Sequence, residues 1–280
     1  MEQAESRPKK IISNKFGWGP LAALLITLAA YVFSQLILIF PLVIVQANSE
    51  SGSNLLDTPW FGLVLSGLSA SALLFVLWVY LKKKKLSLKS LGFVKIKASD
   101  FGWTMLAALG YIFAVGIISW LAGNIPGFNP DQAQEIGYKS AQGWQLALAF
   151  IGLVIIPPIA EEMLFRGFLY RGLANNKWNQ WLILSFTVGI ALIAGLTTGS
   201  WVAPVIILAI GVVSALLGIK FLRFGAAIFT SMIFGIVHMQ WNVALDVFVL
   251  SIVLIMLFEK TKNLWSCIFL HGIKNGLAFM

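Results

Sequence analysis

Nine apolar runs follow one another along this chain, and most are long enough for an α-helix to cross a bilayer. They fall at about 17–45, 60–81, 102–122, 143–169, 179–198, 201–220, 225–241, 243–258 and 264–280. About 17–25 apolar residues suffice to cross roughly 30 Å of hydrocarbon. The eighth run is short and reads as tilted, re-entrant or half of a hairpin. The predicted fold is therefore all-α, a polytopic transmembrane helical bundle of about eight or nine spans.

Composition excludes the soluble alternative. Of the 280 residues, 59% are hydrophobic and 11% charged, against about 45–50% and about 25% in soluble domains. So little charge cannot cover a water-facing surface, and no long polar stretch is present to build a soluble domain. The first run is too long for a signal-peptide core and reads as an uncleaved first helix. The single cysteine, Cys267, excludes an intrachain disulfide framework and a Cys-rich metal site.

A net charge of +9 could point to nucleic acid, but its distribution points to membrane topology. Arg7, Lys9, Lys10 and Lys15 precede the first run. The second and third runs are joined by a loop with Lys82 to Lys85, Lys89, Lys95 and Lys97. Arg166, Arg171 and Lys177, then Lys220 with Arg223, then Lys260 with Lys262 follow at alternate ends of the runs. Only Lys139 and Lys274 break the pattern, which places the N-terminus and these loops in the cytoplasm. The lysine cluster at 82–85 holds its loop there and attracts anionic lipid headgroups. No nucleic-acid motif is present. The external segment 123–142 is polar and turn-rich, and Trp18, Trp60, Trp103, Trp144, Trp201, Trp241 and Trp265 suit an interfacial belt. The expected organisation is an N-terminal helical hairpin with its basic loop over 1–100 and a membrane core over 101–280.

Ionisable groups inside spans cost about 2.5–3.5 kcal/mol each, and three segments carry them. PPIAEEMLFRGFLYR at 157–171 holds Glu161, Glu162, Arg166 and Arg171; SMIFGIVH ends at His238; WSCIFLHGIKN contains His271 and Asn275. The two histidines are the only ones in the protein. Glu162 and Arg166 are four apart and can pair on one helix face. Glu161 is turned about 100° away, and Pro157, Pro158, Leu164 and Phe165 offer it no basic partner. A carboxylate without a cation is available as a general base, so Glu161 is the catalytic candidate and Glu162 its scaffold. Pro157 and Pro158 remove backbone donors and disturb the preceding turn, which is tolerable only against protein or a wet cavity.

His271 and Asn275 share a face and could together hold an oxyanion. Phe234 and His238 repeat the four-residue spacing, so the ring can orient an imidazole that assists Glu161 with a water. Taken singly, an intramembrane His is a helix–helix hydrogen-bonding residue, and a Glu–Arg pair is a packing clasp. Their joint occurrence on separate helices favours a site. Cys267, one turn before His271, reads as a small buried hydrophobe, and Asp246 as an inter-helix or interfacial contact.

These residues resemble the CPBP family of intramembrane endopeptidases, which includes type II CAAX prenyl proteases and relatives linked to bacteriocin processing or self-immunity. Its motifs stand here as Glu161-Glu162-Met163-Leu164-Phe165-Arg166, Phe234-Gly235-Ile236-Val237-His238 and His271-Gly272-Ile273-Lys274-Asn275. The FRG at 165–167 and the LGF at 91–93 also look like family features. The resemblance covers about residues 85–280. It implies that Glu161 and His238 activate water while His271 and Asn275 stabilise the tetrahedral intermediate. Two His and a Glu could also form an open zinc site. The absence of an HExxH spacing and the resemblance favour the glutamate mechanism, with no cofactor and no metal.

The departure from the family is spacing. Between Glu161 and His238 lie 77 residues, including an inserted apolar pair at about 179–220 that preserves sidedness. Depth fits less well: His271 should sit roughly 10–12 Å in and His238 about 20 Å, with Glu161 close to the inner boundary. The expectation is a cytoplasm-facing, water-filled cavity lined by the fourth, seventh and ninth spans. Its substrate would be a peptide or a lipidated, membrane-tethered protein, in what the resemblance implies is a bacterial plasma membrane. A non-catalytic immunity or binding protein, or a proton-coupled transporter, are the rival classes; a transporter should show paired halves, and no pairing is visible.

Overall fold

The computed structural model describes residues 16–47, 58–124, 141–174, 178–238 and 241–279. The N-terminal basic cluster, Lys139, Lys177 and most of the 123–142 segment lie outside these residues. Among the described residues nine helices carry the chain and no strand occurs. They are α1 (Pro20–Ala47), α2 (Pro59–Lys83), α3 (Ala98–Gly123), α4 (Gln145–Ala174), α5 (Gln180–Thr198), α6 (Val202–Lys220), α7 (Leu222–Ile236), α8 (Trp241–Thr261) and α9 (Leu264–Phe279). Helices α1 to α6 are long and apolar enough to cross a membrane, and α7 is a shorter apolar helix. This is an integral membrane protein built as a helical bundle.

Three boundaries differ from the sequence expectation. The eighth run is a full helix of 21 residues. Asp246, Glu259 and Lys260 had masked its length, and two of these are ion-paired. Helix α4 continues to Ala174 rather than stopping at 169. Helix α7 is 15 residues long and ends at Ile236. Local chemistry sets several ends. Pro59 occupies the first turn of α2, where its missing N–H is no loss. Asn179 caps α5 by accepting from the Leu182 N–H at 3.1 Å.

Trp18 is not an interfacial belt residue. It is 1% exposed, stacks on Phe168 with ring centroids 5.0 Å apart, and donates from Nε1 to the Phe168 carbonyl at 3.0 Å. Glycine permits this docking of α1 on α4: a Cβ on Gly172 would stand 2.5 Å from that of Ala23. Trp60, Trp103, Trp144 and Trp201 are exposed, as a belt requires.

The end of the bundle that gathers the basic loops is tied together by hydrogen bonds. After a 3-10 turn at Leu88–Leu91, Gly92 takes φ +106°, and its carbonyl accepts from the Leu264 N–H at 2.9 Å. Arg171 donates to the Ser90 carbonyl at 2.6 Å. Asp100 accepts from the Lys97 backbone N–H at 3.0 Å and from Asn263 Nδ2 at 2.8 Å. Glu259 pairs with both Arg223 and Lys262 at 2.7 Å. The α5–α6 hairpin joins the rest mainly through α6 on α7. There Gly225 and Gly218 touch so closely that a Cβ on Gly225 would lie 2.5 Å from the Gly218 Cα. Small residues let helices approach this way in lipid.

Candidate active site

Helix α4 supplies the acidic pair. The side chain of Glu162 is fully buried, and its Oε1 accepts from Arg166 Nη1 at 2.7 Å, as the four-residue spacing predicts. The same oxygen takes a second bond, from His271 Nδ1 on α9 at 2.8 Å. A carboxylate oxygen can only accept here, so His271 Nδ1 carries the proton. Its Nε2 faces Glu161 Oε2 across 3.8 Å, too far for a direct hydrogen bond. Glu161 Oε2 has no hydrogen-bond partner in the structure, and the Glu161 side chain is 21% exposed against 3% for His271. It is the half-open member of an otherwise closed cluster.

Helix α7 brings the third group. His238 Nδ1 lies 2.7 Å from the carbonyl of Phe234, an acceptor, so this nitrogen is again the protonated one and Nε2 is left as the base. The Phe234 ring meets the His238 ring edge-on at 4.9 Å and the His271 ring at 5.9 Å. Arg166 lies 4.3 Å over its face. Phe234 is thus the spacer that fixes both imidazoles and the guanidinium. His238 is within electrostatic reach of Glu161, His271 and Lys274.

The level of Glu161 against His271 follows from where the helices start. A Cβ on Gly167 would touch the Leu91 carbonyl at 3.1 Å and Leu264 Cδ2 at 3.4 Å, so α9 begins level with Gly167, not with the end of α4. Counting from that contact, Glu161 is six residues along α4 and His271 seven along α9, about 9 and 10 Å in the same direction. The longer α4 lowers Glu161 into the bundle, and the two side chains meet.

Asn275 has a partner that the motif alone does not reveal. Its Nδ2 donates to the Leu153 carbonyl at 2.9 Å. Leu153 lies in a π-helical stretch, Ile151–Ile155, where its α-type donor would be residue 157 and its π-type donor residue 158. Both are proline and have no N–H. The Asn275 amide closes this gap, while Gly272 lets α9 approach until a Cβ there would be 3.1 Å from the Val154 carbonyl. The two prolines were the sequence signal for this bond. One amide hydrogen and the Oδ1 of Asn275 remain for other work.

A buried ion pair flanks the cluster. Lys274 Nζ stands 3.1 Å from Asp246 Oδ2, and Asp246 also accepts from the Tyr111 hydroxyl. Asp246 is therefore an inter-helix contact, and Lys274 is its cation. Cys267 is buried, and its thiol lies 3.4 Å from the Leu254 carbonyl. Among the described residues no three His, Cys, Asp or Glu side chains converge as metal ligands.

Fold and site together define a helical integral membrane protein with a buried carboxylate–imidazole cluster formed by three helices distant in sequence. Residues 143–225 and 219–277 match the family model described as type II CAAX prenyl endopeptidase Rce1-like, and all three motifs fall within them. Over these residues the chain is similar, at the family level, to the CAAX-protease-like intramembrane endopeptidases. No curated protein and no solved structure matches.

Proposed function

We propose that the protein cleaves a peptide bond within the membrane by glutamate-activated water, with Glu161 as the base. The observation that carries this reading is the meeting of Glu161 with His271 at 3.8 Å, with the Nδ1 of His238 tied to the Phe234 carbonyl. Glu161 takes a proton from water, helped by the His238 Nε2 lone pair, and the hydroxide adds to the substrate carbonyl. The oxyanion accepts hydrogen bonds from His271 and from the second amide hydrogen of Asn275. With Nδ1 already donating to Glu162, His271 donates to the oxyanion from Nε2 only when that nitrogen carries a proton as well. Glu161 then passes its proton to the departing amine, which restores the starting state.

The substrate class is a peptide or prenylated protein tail, by the family to which residues 143–277 are similar. The basic loops face the cytoplasm, with α5–α6 an insertion between the first two motifs, in what is read as a bacterial plasma membrane. The test uses purified protein in detergent with an internally quenched farnesylated peptide ending in a CAAX sequence, the products read by mass spectrometry. Glu161→Gln should lose about 10²- to 10⁴-fold in turnover, the span of general-base catalysis, with unchanged thermal unfolding. Undiminished cleavage by this variant sinks the base assignment. Capture of the peptide without cleavage by the wild-type protein favours a binding or immunity role.

A further inference from the structure

We infer that Tyr31, in the first helix, is a positioning residue of the site, holding the turn that carries His238 against the Glu161 side of the cluster. Helix α1 lies outside the residues that match the family model, and Tyr31 sits halfway along it. The inference rests on the proposed role of His238, and its test keeps the two separable.

The geometry is specific. Tyr31 donates its hydroxyl hydrogen to the Val237 carbonyl at 2.8 Å, across 206 residues of sequence. Helix α7 ends at Ile236, so the Val237 carbonyl lies just past its last turn, where helix ends look outside themselves for donors. Backbone polar groups inside a span are tolerated only where protein or a wet cavity satisfies them. Tyr31 supplies the donor for the residue directly before His238. His238 in turn ties itself back to the Phe234 carbonyl, so Tyr31 and the imidazole cap the same helix end from two directions.

The register of α1 explains why the hydroxyl arrives there. Trp18 and Ala23 lock α1 to Phe168 and Gly172 of α4. From Ala23 to Tyr31 the helix climbs eight residues, about 12 Å, and from Gly172 to Glu161 α4 climbs eleven, about 16 Å. A tyrosine side chain spans the remaining difference. The Glu161 carboxylate is within electrostatic reach of the phenol. With its hydrogen given to Val237, the phenol oxygen offers only lone pairs to the space between them. It can accept a hydrogen bond from a water there and cannot quench the Glu161 base by donating to it.

The test exploits the presence of only two histidines in the chain. Full-length protein with ¹⁵N-histidine in lipid nanodiscs gives two imidazole signals, assigned by His238→Gln and His271→Gln. Tyr31→Phe keeps the ring and removes only the hydroxyl. The expected result is a displaced His238 signal with the His271 signal unmoved. Superimposable spectra, or equal displacement of both signals, overturn the inference. With the farnesylated peptide, Tyr31→Phe should lower kcat about tenfold and leave KM within about twofold, the pattern of a group acting on the chemical step. If the wild-type protein does not cleave that peptide, the protease reading fails while the spectral comparison still decides the role of Tyr31.

Discussion

Glu162 serves two partners with one oxygen, and this makes Arg166 more than a neutralising neighbour. Both side chains are fully buried, and breaking such a pair from one side leaves an uncompensated charge, at a cost of about 3–5 kcal/mol. Arg166→Met should therefore lower the thermal unfolding temperature in detergent as well as activity. Adding Glu162→Gln to it should recover part of the stability but not the activity, because His271 would still lack its carboxylate. The i, i+4 spacing made the pair legible in the sequence, and the missing basic neighbour singled out Glu161. The bond from His271 to Glu162 was not legible, because it joins residues 109 apart through a helix start that only tertiary packing sets. Tyr31 gave no signal either, since a tyrosine in an apolar helix is ordinary.

At the scale of the helix, the break in α4 is the feature that most needs its neighbours. Pro157 and Pro158 strip the Leu153 carbonyl of both possible helical donors, and Asn275 replaces them. Asn275→Leu should cost about 1–3 kcal/mol, the penalty for a buried acceptor left unmade, read as a fall in unfolding temperature. Pro157→Ala in the same chain returns an N–H at the required position and should recover most of that loss. If activity stays low in this double variant while stability returns, Asn275 contributes to the chemistry beyond its repair of α4; recovery of both would confine it to the repair. The helices themselves were largely legible: nine runs became nine helices among the described residues. Two of the misread ends, those of α4 and α8, lie where charge inside a helix has a partner. Glu259 in α8 is held by Arg223 and Lys262, so hydropathy alone stops the helix too soon.

For the molecule as a whole, the proposed cytoplasmic placement of the basic loops is open to a direct test. The wild-type thiol is buried, so Cys267 should stay silent to a membrane-impermeant maleimide. Lys84→Cys should likewise remain unlabelled in intact cells and react once the membrane is permeabilised. Labelling of intact cells would invert the topology and place the site's approach on the opposite face. The bundle architecture followed from composition, whereas the common depth of Glu161 and His271 depended on the Leu91–Gly167–Leu264 contact, which no periodicity encodes.

Helix α7 has 15 residues and so rises about 22 Å, short of a hydrocarbon layer about 30 Å thick. With its start at the boundary that the basic Arg223 suggests, such a helix would leave the turn bearing His238 inside the apolar layer. A bilayer made thinner or thicker deforms or tilts the helices embedded in it, and here any such tilt moves an imidazole relative to a carboxylate on another helix. Lipid chain length would then be, for this architecture, a mechanical input to the spacing of the proposed reacting groups.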